Sequence, residues 1–204
     1  MDSKIKNIIF DLGGVILDID FYKTQNAFRS LGLHEIEDLF GLGHAASYFK
    51  DYEVGKINDE EFINNIRKSV SEELSPDEII KAWNAMLIEF PKPGIEKIKE
   101  LKLKYRTFLF SNTNAIHLKA FRKMFEADYP GETLDGLFEK VYYSHLMKAR
   151  KPDVASFIQI INENNLIAEE TLFVDDAEIN LKAAREAGLQ TFLINGNNSI
   201  LDLN

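Results

Sequence analysis

Five short apolar runs constrain this chain more than any other feature. Residues 5–10, 107–110, 141–143, 171–174 and 191–194 are rich in β-branched and aromatic side chains and show almost no polar alternation. A strand with one wet face alternates, whereas a strand buried on both faces does not. Four longer amphipathic segments interleave with these runs: 91–105, 114–127, 152–164 and 177–187, the last stopped by Gly188. After residue 90 the order is therefore helix, strand, repeated. That alternation predicts the α/β class, a mainly parallel sheet with helices on both faces.

Residues 18–90 break the pattern, with no convincing strand. They read as helices over 21–31, 35–39, 45–53, 59–74 and 77–89. Asn58 and Ser75 precede two of these as N-caps, with Glu61 and Glu78 three residues on, and Pro76 suits a first helical turn. Pro91-Lys92-Pro93-Gly94 punctuates the return. The expected organisation is a discontinuous core, 1–17 with 91–204, and an inserted helical cap, 18–90. A chain of 204 residues with 45% hydrophobic content can bury such a core.

Composition removes several classes of function. The net charge of -9 repels a nucleic-acid backbone. The absence of Cys rules out disulfides, thiol chemistry and zinc-thiolate sites. No run approaches the roughly 20 apolar residues that span a bilayer, and no targeting segment is visible. The expectation is a cytoplasmic protein, monomer or homodimer, acting on a small molecule.

The chemistry is written where the apolar runs end. Ile8-Ile9-Phe10 leads into Asp11, Phe108-Leu109-Phe110 into Ser111-Asn112-Thr113, and Leu172-Phe173-Val174 into Asp175-Asp176. A lone Asp after a strand is ordinarily a turn or cap residue. Three such ends meet at one edge of a parallel sheet, where ligands bind. Converging carboxylates make a hard oxygen site suited to Mg²⁺ and need a cation to offset their repulsion. Donors at Ser111-Asn112, just before a helix, suit an anion, and Gly13-Gly14 permits close backbone approach. Lys151, fixed by Pro152, is the sharpest candidate in a basic cluster, 148–151. Carboxylates, a cation and an anion cradle together suggest phosphoryl transfer.

These residues resemble the four motifs of the haloacid dehalogenase-like hydrolases: Asp11-Leu12-Gly13-Gly14-Val15, Ser111, Lys151, and Asp175-Asp176 followed by Asn180. They span residues 8–188 in the family's order. The resemblance implies a Rossmann-like three-layer core with a small helical cap. It implies Asp11 as nucleophile forming an aspartyl-phosphate, and Mg²⁺ held by Asp11, the Gly13 carbonyl and Asp176, with Asp175 assisting. Ser111 and Asn112 would bind phosphoryl oxygens, and Lys151 would neutralise phosphate and orient Asp11.

One position departs from the family pattern. Its phosphatases usually carry an acid/base Asp two residues after the nucleophile, and here that residue is Gly13. The segment from Phe10 to Ile16, with Asp18-Ile19-Asp20, is similar to a bacterial α-D-glucose-1-phosphate phosphatase branch that shares this Gly. The implied function is a Mg²⁺-dependent phosphatase of small metabolites, sugar 1-phosphates favoured because an anomeric hydroxyl leaves easily. A slow enzyme and a cap residue supplying the proton are the other answers to Gly13. The alternatives are a metal-free 2-haloacid dehalogenase, which Asp175-Asp176 argues against, and a non-catalytic binding protein.

Other candidates read as structural. His34, His44, His117 and His145 form no metal-spaced pair; His44 reads as a solvated loop or helix-start residue, or as a proton donor facing the site, His117 as a surface helix residue or one near the phosphate site, and Trp83 as packing. Glu53, in Tyr52-Glu53-Val54-Gly55, reads as a helix end before a Gly stop or as a contact to substrate hydroxyls. The segment 126–137 reads as a long loop.

Overall fold

The computed structural model describes residues 3–33, 47–69 and 73–204. The expected helix at 35–39, with His34 and His44, lies outside the described residues.

The five apolar runs form one parallel sheet. Its strands are β1 (Asn7–Phe10), β4 (Arg106–Ser111), β5 (Lys140–Tyr143), β6 (Thr171–Asp175) and β7 (Gln190–Leu193), in the order β5-β4-β1-β6-β7. β1 is central, with Phe10 level with Leu109 on one side and Val174 on the other. Successive strand side chains point to opposite faces. Ile8, Phe10, Leu109, Leu172 and Val174 therefore enter one core, and Ile9, Phe108, Phe110 and Phe173 the other. Two buried faces explain why these runs lack alternation.

Helices complete the three layers. The first core is closed by α5 (Lys92–Lys102) and α6 (Ala115–Asp128), through Ile95, Ile98, Phe121 and Phe125. The second is closed by α8 (Val154–Glu163) and α9 (Glu178–Glu186), through Phe157, Ile160 and Leu181. A one-turn helix, α7 (Ser144–Met147), follows β5 directly.

The segment between β1 and α5 carries α1 (Phe21–Ser30), α2 (Ser47–Glu53), α3 (Asp59–Ser69) and α4 (Pro76–Asn84). Both expected capping boxes form. Asn58 and Glu61 exchange hydrogen bonds of 2.9 Å, and Ser75 and Glu78 bond reciprocally with Pro76 opening α4. An aromatic cluster unites these helices: Tyr52 stacks on Phe62 at 4.2 Å, and Trp83 lies 5.1 Å from Phe62 and 5.4 Å from Phe49. Ile116 of α6 joins this cluster.

The segment is not wholly helical, contrary to the sequence expectation. The last predicted helix, 77–89, ends at Asn84, and Leu87–Glu89 forms a strand, β3, antiparallel to β2 (Asp18–Ile19). Two- and three-residue strands are too short to show a period of their own. The ribbon ties the two ends of the helical segment together where it leaves and rejoins the sheet.

Candidate active site

Neighbouring strands bring the first polar residues together. Asp11 continues the ladder one residue beyond β1, its N–H donating to the Val174 carbonyl at 2.9 Å. Ser111 and Asp175 are the final residues of β4 and β6, the two strands that flank β1. All three leave the sheet at the carboxyl edge, where chain topology opens a crevice.

Lys151 arrives at this edge from the segment between α7 and α8. Its Nζ lies 2.7 Å from Asp11 Oδ1 and 2.8 Å from Asp175 Oδ2. It also sits 5.4 Å from the ring centres of Phe110 and Phe173, and only 1% of the residue is exposed. Burial pulls the ammonium pKa down, but Asp11 and Asp175 outweigh it and the net shift is upward. The lysine is therefore charged at neutral pH.

Asn112 does something the sequence did not foretell. Its amide donates to the Lys151 carbonyl and accepts from the Lys151 N–H, both at 2.9 Å. The side chain expected to contact phosphate thus positions the Lys151 backbone. Ser111 lines the cavity beside Asp11.

The carboxylates differ in surroundings. Asp175 is fully buried, and beyond Lys151 it accepts from the Ala177 N–H at 2.8 Å and from Asn180 Nδ2 at 3.0 and 3.1 Å. Asp176 is exposed at the rim. Gly14 sits against it with φ of +74°, and a Cβ there would collide with the Asp176 carboxylate. Glycine is required at 14 by both conformation and space.

Oxygens of Asp11, Asp175 and Asp176 lie within 4.8 Å of one another. Burial, then the charge of Asp175, push the Asp11 carboxyl up to about 7 against the pull of Lys151. Partial desolvation at the rim, then the charge of Asp175, also raise Asp176, again against Lys151. Three carboxylates face one ammonium, so the site holds an excess of negative charge. An all-oxygen donor set with that excess fits a hard divalent cation such as Mg²⁺.

Above these groups lies a cavity of about 270 Å³. The sheet edge supplies its floor, and Phe21, Glu53, Trp83 and Met86 supply walls from the helical segment. Glu53 ends α2 and its Oε2 lies 3.1 Å from Arg150 Nη2. The sequence leaves Glu53 as a helix end or a substrate contact, and the structure makes it both helix end and cavity wall.

His117 is buried rather than on a surface, a correction to the sequence expectation. The helix position is unremarkable in sequence, but α4 packs over it. Its ring stacks on Trp83 at 4.8 Å, Nε2 donates to the Trp83 carbonyl at 3.1 Å, and Nδ1 accepts from Asn114 Nδ2 at 3.2 Å. Burial holds its pKa down at about 4. The imidazole is neutral with both nitrogens committed.

Comparison with known proteins places this geometry. A family model for haloacid dehalogenase-like hydrolases matches residues 5–188. A D-ribitol-5-phosphate phosphatase of Bacteroides thetaiotaomicron is 34% identical over 189 residues, covering 92% of this chain and 91% of that protein. A substituted form of a HAD family enzyme from Bacteroides thetaiotaomicron, in complex with magnesium and inorganic phosphate, superposes with a TM-score of 0.90 at 33% identity, covering 96% of each chain. A HAD-like family hydrolase from Porphyromonas gingivalis superposes with a TM-score of 0.86 at 32% identity, covering 96% of this chain and 94% of that one. With its motif residues gathered at one sheet edge and a match from end to end, this chain belongs to the haloacid dehalogenase-like hydrolases.

Proposed function

We propose that the protein is a Mg²⁺-dependent phosphatase of small phosphorylated metabolites, sugar and polyol phosphates first. The observation that carries this reading is the Lys151 ammonium bridging Asp11 and Asp175 beneath a small-molecule cavity. The core is 1–17 with 91–204, and the cap is 18–90. The relatives named as a ribitol-phosphate phosphatase and as a magnesium and phosphate complex support the substrate class and the metal.

Asp11 acts as nucleophile, its Oδ2 attacking phosphorus while Oδ1 stays on Lys151. The aspartyl-phosphate is then hydrolysed. Lys151 offsets negative charge as it builds on the phosphoryl oxygens, in a buried setting where a charge contact counts for more than in water. Ser111 donates to a phosphoryl oxygen. Asp175, locked by Asn180 and the Ala177 N–H, holds Lys151 in place. Asp11, Asp176 and the Gly13 carbonyl would hold Mg²⁺, with Asp175 assisting, and the metal would supply charge neutralisation for the transferred phosphoryl group.

Leaving-group acidity favours 1-phosphates, and the relative's name extends the substrate panel to 5-phosphates of polyols. The test is phosphate release from paired 1- and 5- or 6-phosphates, with Mg²⁺ and with EDTA. Mg²⁺-dependent release is expected. Binding of Mg²⁺ and phosphate without turnover of any substrate would favour a binding protein. Chloride release from 2-chloropropionate without metal would favour a dehalogenase.

A further inference from the structure

Gly13 leaves no side chain where a proton donor for the leaving group is usually sought. A Cβ at 13 would come 2.9 Å from Ile19 Cδ1, so Ile19 fills the space where such a side chain would start. Hydrolysis of an alkyl phosphate still has to protonate an alkoxide. The donor must come from elsewhere in the cavity.

Five titratable side chains line that cavity among the described residues: Asp11, Glu53, His117, Lys151 and Asp176. Asp11, Lys151 and Asp176 serve as nucleophile, charge partner and metal ligand. His117 is neutral, with Asn114 on one ring nitrogen and the Trp83 carbonyl on the other. Glu53 remains. Its backbone and side chain are each anchored to a loop that builds the site. The Ser144 hydroxyl accepts from the Thr113 N–H at 2.9 Å and donates to the Glu53 carbonyl at 2.6 Å, tying Glu53 to the loop after Ser111-Asn112. Arg150, next to Lys151, holds Oε2. No described residue hydrogen-bonds to Oε1.

We propose that Glu53 is the general acid/base of this enzyme, supplied by the cap in place of residue 13. The proposal rests on the phosphatase reading. In the first step Asp11 attacks phosphorus and the bond to the leaving oxygen breaks with its electron pair. The Glu53 carboxyl passes its proton to that oxygen and the alcohol departs. In the second, the Glu53 carboxylate takes a proton from water as the water oxygen attacks phosphorus. The bond to Asp11 breaks and inorganic phosphate leaves. Both protons are accounted for, and Glu53 returns to its starting form. Burial raises the Glu53 carboxyl pKa above its ordinary value, opposed by Arg150, Lys50 and Lys151.

The test compares wild type, Glu53→Gln and Glu53→Asp on phosphate esters whose leaving groups differ in acidity. The series is 4-nitrophenyl, phenyl and 4-methoxyphenyl phosphate, with ribose 1-phosphate against ribose 5-phosphate as a second pair. A general acid matters least where the leaving group departs unaided and is typically worth 10²–10⁴-fold elsewhere. Glu53→Gln is expected to lower kcat/KM by about 10²-fold or more for the poor leaving groups and only a few-fold for 4-nitrophenyl phosphate, with Glu53→Asp recovering part of the loss. Equal loss across the series, or no loss, overturns the proposal; equal loss would make Glu53 a positioning residue. A wild-type protein that hydrolyses no ester overturns the phosphatase reading itself. Unchanged circular-dichroism melting of the variants separates chemistry from misfolding.

Discussion

Burial and Asp175 hold the Asp11 carboxyl at about 7 although Lys151 touches it. Its charged form is thus costly in the folded state without a cation. The sign follows: between about pH 4 and 7 the folded protein keeps a proton that the unfolded chain releases, so this contribution to stability falls as pH rises. Asp11→Asn should abolish turnover and raise the melting temperature of EDTA-treated protein at pH 8. The shift corresponds to at most about 4 kcal/mol, and the lost ion pair with Lys151 reduces the gain to several degrees. At pH 4.5 the gain should vanish. An unchanged or lower melting temperature at pH 8 would show that Asp11 carries no such strain.

His117 titrates with the opposite sign. Held at about 4, it stays neutral while the unfolded chain takes up a proton below about 6.5. Stability from this residue therefore rises with pH from about 4 to 6.5, by up to about 3 kcal/mol. The stability difference between wild type and His117→Gln, from urea titrations at pH 4.5 and 7, should shift by that order. A difference independent of pH would contradict the buried neutral state. The sequence could not show this burial, because the α6 face that carries His117 meets α4, and that packing is invisible in local periodicity.

At the scale of elements, the junction between α2 and α3 is the sensitive one. Gly55 adopts φ of +62°, its carbonyl accepts from Lys148 Nζ at 2.6 Å, and a Cβ there would collide with the His145 carbonyl and Lys148. The left-handed conformation alone costs a non-glycine residue about 1–2 kcal/mol. Gly55→Ala should therefore destabilise by about 2 kcal/mol or more once the backbone clash is added. It should also lower kcat/KM by shifting Glu53. Urea denaturation with steady-state kinetics checks both, and a loss below about 0.5 kcal/mol would mean the junction yields easily. The long helices and their caps were legible because spacing and capping chemistry are local. The β2–β3 ribbon was not, because its pairing partners lie about seventy residues apart.

At the scale of the whole molecule, the excess of carboxylate over ammonium should make stability depend on metal. A cation that binds only the folded state stabilises it by about 2.7 kcal/mol at one hundred times its dissociation constant. The melting temperature should rise saturably with Mg²⁺, by roughly 5–10 °C for a chain of this size. EDTA should reverse the rise, and Asp176→Asn should remove most of it. A melting temperature indifferent to Mg²⁺ would deny the carboxylates a metal role.

The sequence by itself determined the layered α/β fold and most of the polar groups gathered at the sheet edge. Strands buried on both faces must be continuously apolar, and the first polar residue after each must leave at one sheet edge. Asp11, Ser111 and Asp175 were readable on that logic alone. Tertiary structure decided what each group is left free to do. It placed the Asn112 amide on Lys151, Ile19 in the space beside Gly13, and Glu53 of α2 in the cavity wall, held by Arg150 and Ser144. The physical reason is range: periodicity and capping act within a few residues. A buried carboxylate's partners, and hence its proton, are set by segments about a hundred residues away that only the folded chain brings within hydrogen-bond reach.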